Sequence, residues 1–97
     1  MDIEVFAPED EERVQILQAL ADPTRLATIR VLKNAGGEIP REQLCAKFTV
    51  SNSTFSFHGK TLHDAGLTIS RKEGREKFIR INQAKFDEFL PGFLDTL

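Results

Sequence analysis

Apolar positions along this chain follow two rhythms. Up to about residue 65 they recur every three to four positions, as on helices with one buried face. Residues 67–82 switch to alternation, as in strands. The first helix is expected from Glu9 or Asp10 to Leu20, with Val14, Leu17, Leu20 and Ala21 as its apolar stripe. Acidic residues crowd its first turn, where the helix dipole favours them. Asp22-Pro23 restarts the chain, with Asp22 as N-cap and Pro23 at the first helical position, where its missing N–H costs nothing. The second helix runs to about Asn34, turns Leu26, Ile29 and Leu32 inward, and stops at Gly36-Gly37.

Glu38-Ile39-Pro40 reads as a short extended connector. A brief third helix, about Arg41 to Phe48, is expected to bury Leu44, Cys45 and Phe48. Thr49-Val50 makes a tight turn, and Ser51 caps a fourth helix reaching Ala65. Gly66 suits the left-handed position after that helix, and Leu67 can fold back onto Leu62, the apolar contact of a Schellman stop. Beyond it, Leu67, Ile69 and Arg71 share one face, Ile79 and Ile81 share a face on the returning segment, and residues 72–76 join them. This is a β-hairpin with a basic tip. Asn82 is expected to cap a last helix carrying Phe86, Phe89 and Leu90 on one side. Pro91-Gly92 breaks or kinks it, and Phe93, Leu94 and Leu97 follow. Residues 1–8 read as a loose N-terminal arm. The expected fold is one domain over 1–97, mainly α with a small β-hairpin and about five helices.

Composition changes this picture little. The chain has 97 residues, 40% hydrophobic and 29% charged, which is ordinary for a globular protein and unlike a disordered one. A single core at this length is thin, and dimerisation would enlarge it. Apolar runs do not exceed three residues, far short of a membrane span, and the acidic start lacks the pattern of a signal peptide. A cytoplasmic protein is expected, and the single Cys fits a reducing compartment.

Charge matters more through its distribution than its sum. The net charge is −2, but residues 1–50 carry −3, residues 51–82 carry +3 and residues 83–97 carry −2. A basic island of that kind can meet phosphates on a molecule that is acidic as a whole.

The order of short helix, tight turn, longer helix and basic hairpin is that of a winged helix-turn-helix, in which the longer helix enters the major groove of DNA. Its first turns here hold Ser51, Asn52, Ser53, Thr54, Ser56, Phe57 and His58, with Lys60 one turn on. Hydroxyls donate and accept, Asn can pair bidentately with adenine, and apolar groups can touch a thymine methyl. Short polar residues at a helix start also favour phosphate binding by backbone N–H groups. Arg71, Lys72 and Arg75 of the hairpin are candidates for the flanking backbone or the minor groove. Each part also has a plainer use, since Ser and Thr cap helices and basic turns sit in solvent. Their order and spacing together favour DNA.

The strings "ALADPTRLATIRVL", "LCAKFTVSNSTFSFHGKTLHDAGL" and "SRKEGREKFIRIN" resemble the ArsR family of bacterial repressors over roughly residues 14–82. The resemblance implies a dimeric winged-helix repressor with the first and last helices at the dimer interface. Val14, Leu17 and Ala21, with Phe86, Phe89, Leu90 and Phe93, are the residues that would form it, as apolar stripes a lone chain of this size would struggle to cover. The chain departs from the family's pattern at Gly59, where Leu is common. A glycine there loosens or bends the helix, with Phe55 as a candidate to fill the gap. Phe57 stands where polar or basic residues are frequent, and local packing is the expected use.

Many relatives of that family release DNA on binding metal, and neither known metal site is matched here. Cys45 aligns only with the last position of the thiolate site, Pro40 and Glu42 stand where the first two would be, and residues 83–97 contain no His. One thiolate is a poor site for a soft metal. His58 and His63, five positions apart, are turned by about 500° from one another on a helix and cannot share an ion. His58 is read as a DNA or structural contact, and His63 as a surface residue. Cys45 is expected to be buried and inert, with no resolving partner in the chain.

No cofactor is implied. Neither a defensible Ser/His/Asp spacing nor a phosphate-cradling glycine loop is present, so no enzyme is expected. The expected partners are double-stranded operator DNA and a second copy of the chain, with no membrane and an unidentified inducer. The competing reading is a winged-helix module that binds another protein, since the fold alone does not fix its use.

Overall fold

A computed structural model describes residues 5–97, so the first half of the expected N-terminal arm, residues 1–4, lies outside the described residues. Five helices and three strands follow. They are α1 (Asp10–Leu20), α2 (Pro23–Ala35), β1 (Ile39–Pro40), α3 (Arg41–Cys45), α4 (Asn52–Asp64), β2 (Thr68–Glu73), β3 (Glu76–Ile81) and α5 (Gln83–Phe89), with a last 3₁₀ turn at Leu94–Thr96. No helix among the described residues is long and apolar enough to cross a membrane.

Local chemistry sets most of the boundaries. The Asp22 carboxylate accepts the Arg25 N–H at 2.9 Å, with Pro23 next in line, so α2 starts where its cap stands. The Ser51 hydroxyl accepts the Thr54 N–H at 3.1 Å and starts α4 in the same way. That helix ends in a full Schellman stop. Gly66 takes φ +79°, its N–H reaches the His63 carbonyl at 2.9 Å, and the Leu67 N–H reaches the Leu62 carbonyl at 3.1 Å. In the hairpin, Gly74 takes φ +62° at the first of two loop positions, as a II′ turn requires.

Three boundaries differ from the sequence expectation. The helix at Arg41 ends at Cys45, and residues 46–48 form a turn, which leaves Cys45 and Phe48 half-buried rather than buried. The connector at Ile39-Pro40 is a third strand. It pairs antiparallel with β3 (Ile39 opposite Ile79), so the sheet order is β1-β3-β2. Proline is tolerated there because the strand lies at the sheet edge. Asn82 does not cap α5; its side-chain amide instead donates to the Gly66 carbonyl at 2.9 Å and ties the end of the wing to the end of α4. At the chain's end Pro91 and Gly92 (φ +83°) break the helix as expected and separate α5 from the 3₁₀ turn.

Two apolar clusters hold these elements. One joins Ile16, Ile29, Leu62, Leu67 and Phe86 with Ala19, Leu20, Phe89 and Leu94. The other joins Leu32, Ile39, Leu44, Phe55 and Ile79 beneath the sheet. Helix α1 carries two apolar stripes, and the one it buries is Ile16, Ala19 and Leu20. Val14 and Leu17 lie outside it, each 49% exposed, and Ala21 is also exposed. The sheet likewise buries an unforeseen partner. Ile79 and Ile81 share their face with Ser70 and Thr68, their cross-strand neighbours, while Ile69 and Arg71 point the other way.

Candidate nucleic-acid interface

Helix α4 shows one buried line, Phe55 and Leu62, and is open around most of the rest of its first turns. Ser51, Asn52, Ser53, Thr54, Ser56 and Phe57 are all exposed. The Ser51 hydroxyl gathers its neighbours, donating to the Thr54 hydroxyl at 2.9 Å and lying 3.2 Å from that of Ser53. Phe57 is 63% exposed, with its ring edge-on to that of His58 and the centroids 5.8 Å apart. The expected local packing of Phe57 is therefore not what the structure has, because its position on the helix faces away from both clusters. Phe55 does not fill a gap at Gly59 either. Its ring packs on Phe48 with centroids 5.6 Å apart, and α4 runs unbroken through Gly59.

His58 is turned away from the exposed row. Its side chain is 14% exposed and lies against the start of α2. Arg25 Nη1 stands 3.0 Å from His58 Nδ1, and since arginine only donates, Nδ1 accepts and the ring proton sits on Nε2. The same guanidinium donates through Nε to the Ala19 carbonyl at 2.7 Å, satisfying the end of α1. Asp22 completes the group at 3.8 Å from His58. The backbone N–H of Arg25, aided by the charge of its guanidinium, holds the Asp22 carboxyl below its ordinary value. The string Asp22-Pro23-Thr24-Arg25 thus caps α2 and fixes how α1, α2 and α4 meet.

A second arginine without a sequence-level role does similar work at the turn. Arg41, the first residue of α3, donates to the Asn52 side-chain carbonyl, to the Asn52 backbone carbonyl at 3.3 Å and to the Ser56 hydroxyl at 2.7 Å. Its guanidinium lies over the Phe55 ring, 5.3 Å from the centroid. Arg41 therefore orients two of the side chains that line the outer face of α4. The only signals for it in the sequence were its charge and its place at the start of the short helix.

The wing's charges divide into bound and free. Arg71 donates from Nε and Nη2 to Glu38 at 2.9 and 2.5 Å and from Nη1 to Glu73 at 3.1 Å. It also covers the Phe78 ring at 4.4 Å. The hydrogen bond from Arg71 lowers the Glu38 carboxyl, and Glu38 in turn raises the guanidinium further above its already high value. Lys60 is paired with Asp64 at 2.6 Å, and that bond depresses the Asp64 carboxyl. Lys72, Arg75 and Lys77 are exposed and form no ion pair among the described residues. Lys72 and Lys77 stand directly opposite each other across the hairpin, a like-charge pair that an anion would relieve.

The residues named for subunit contact are split in the same way. Phe86 is 1% exposed and Phe89 is 9% exposed, so the chain covers them itself, with Phe93 stacked on Phe86 at 6.3 Å. The expectation that a lone chain leaves these rings open is corrected, because α5 turns them into the cluster beneath α1. Leu90 and Phe93 are half-buried, and Val14 and Leu17 are the open apolar residues of α1. Cys45 is free and half-buried, and among the described residues no three His, Cys, Asp or Glu side chains are grouped to hold a metal ion.

A short helix, a turn and a longer exposed helix, followed by a β-hairpin at its side, make this a winged helix-turn-helix protein. No protein-family model matches the chain. The uncharacterized HTH-type transcriptional regulator YceK of Bacillus subtilis (strain 168) is 43% identical over 89 residues, 92% of this chain and 89% of its own length. The arsenical resistance operon repressor of Staphylococcus aureus is 32% identical over 80 residues, 82% of this chain and 75% of its own length. The crystal structure of an ArsR family transcriptional regulator superposes with a TM-score of 0.77 at 30% identity, covering 94% of this chain and 91% of that one. The chain belongs to the ArsR family of transcriptional regulators.

Proposed function

We propose that the protein is a repressor that binds operator DNA as a homodimer, with α4 in the major groove and the wing on the flanking backbone or minor groove. The observation that carries this reading is the exposed set Asn52, Ser53, Thr54, Ser56 and Phe57, held by the Ser51 cap and by Arg41, beside a hairpin with free Lys72 and Arg75. The polar members read base edges and Phe57 meets a thymine methyl. Lys72 and Arg75 supply phosphate contacts. Arg71, held by two carboxylates, serves the wing's shape more than its charge, and His58 supports α4 from behind. The second copy covers Val14 and Leu17, with the rims of Leu90 and Phe93 beside them. The repressor works without the family's metal sites, since Cys45 has no second thiolate and residues 83–97 supply no imidazole.

Two substitutions separate positioning from reading. Arg75→Ala is expected to weaken binding to all duplexes alike and to lower the salt slope by about one per subunit. Asn52→Ala is expected to relax preference at one base position of the operator, seen by competition with single-base variants. If both variants bind every duplex as the parent does, the interface is wrong.

A further inference from the structure

Beside the exposed row of α4, and sharing Ser56 with it, a cavity of about 190 Å³ lies between the helix and the inner face of the sheet. Gly59 makes it possible. A Cβ built there would meet no atom within 4 Å, so the helix leaves space where any larger side chain would project. The floor is apolar, formed by Leu44, Phe55, Leu62 and Ile79, all buried. The rim is basic. Arg41, Lys60 and Lys77 line the cavity and no carboxylate does. Between floor and rim lies Thr68, whose hydroxyl is open to the cavity and forms no hydrogen bond among the described residues.

We infer that this cavity is a binding site for a small organic carboxylate, with its apolar body on the floor and its charged end at Lys77, the lining lysine that forms no ion pair among the described residues. The Thr68 hydroxyl donates to the ligand. The volume lies below the range of about 300–1,000 Å³ that holds drug-sized molecules, so the ligand is a single ring or short chain. An apolar floor excludes a bare inorganic anion as the intended occupant, and a basic rim with no acid selects against cations. Arg41, Ser56 and Lys60 border both this cavity and the exposed face of α4. A bound carboxylate would draw on those side chains, which makes this the place for an inducer to act. That consequence rests on the proposed DNA-binding function, whereas the binding site itself does not.

The test uses the full chain without DNA. Sodium benzoate is titrated into ¹⁵N-labelled protein to millimolar concentration, with benzyl alcohol and inorganic phosphate as comparison probes. The expected result is saturable shifts at the amides of Ser56, Gly59, Leu62, Thr68 and Ser70, with benzoate binding more tightly than either comparison probe. Gly59→Leu, which occupies the space, is expected to abolish these shifts. Thr68→Val and Lys77→Gln should each weaken benzoate on the order of tenfold while leaving the spectrum folded. Absence of saturation, shifts mapping to other residues, or unchanged binding to Gly59→Leu would overturn the site. Equal binding of benzyl alcohol or of phosphate would overturn the carboxylate assignment.

Discussion

Replacing Gly59 by alanine should make the protein more stable. The residue sits in the interior of α4, where glycine is less favourable than alanine by roughly 0.5–1 kcal/mol, because it gives up more backbone freedom on folding. Usually such a gain is offset by a clash or by an unfavourable backbone angle. Neither applies here. Gly59 is not among the glycines with positive φ, and its added Cβ would meet no atom within 4 Å. The whole propensity term, about 1 kcal/mol at most, is therefore expected to appear as stability. For a domain of this size that corresponds to a rise in melting temperature of about 4–8 °C per kcal/mol. Differential scanning calorimetry at matched protein concentrations measures it directly. An unchanged or lowered melting temperature would refute the open space beside α4, and with it the cavity. A stabilised variant would mean that the natural chain keeps a residue that weakens α4, which is expected at functional sites.

Three further predictions concern other parts of the molecule. Phe86→Ala should cost about 3–5 kcal/mol in urea unfolding, since the ring is 1% exposed and stacked on Phe93. The Asp22 carboxyl is lowered below 3.8 by its backbone bond to Arg25, so its contribution is complete above that pH and is lost as pH falls through the folded value. Asp22→Asn keeps a capping side chain. It should therefore be less stable than the parent near neutrality, with the gap closing below about pH 4 when unfolding midpoints are compared. Joint replacement of Val14 and Leu17 by Asp alters two residues that the single chain leaves open. Sedimentation equilibrium is expected to report a dimer for the parent and a folded monomer for the variant, and a dimer in both would move the interface elsewhere.

The parts of this fold that were legible in advance are those decided within a few residues. The caps at Asp22 and Ser51 and the stop at Gly66-Leu67 each depend on neighbours in sequence, and they stand where local chemistry places them. What escaped was non-local. Ile39-Pro40 becomes a strand only because Ile79 and Phe78 come to lie beside it. Arg71 looked like a phosphate contact until Glu38, 33 positions away, took up its guanidinium. His58 looked like part of the reading surface until Arg25, also 33 positions away, drew it inward. On α1, two stripes of equal apolar character were available, and only the packing of α2, α4 and α5 against it selects Ile16 over Val14. Arg41 was passed over because nothing in its spacing shows that α3 would carry it to Asn52 and Ser56.

The central claim is tested most directly by fluorescence anisotropy of the purified protein on the DNA upstream of its own gene and on a scrambled duplex of equal length. Two of the free cations of each wing, Lys72 and Arg75, would give about four phosphate contacts in the proposed dimer, and hence a slope of log affinity on log salt near −3.6. Affinity for the upstream duplex should exceed that for the scrambled one and fall by about two orders of magnitude between about 50 and 200 mM salt. Equal, weak and salt-insensitive binding to both duplexes would contradict the claim and favour a winged helix that binds another protein.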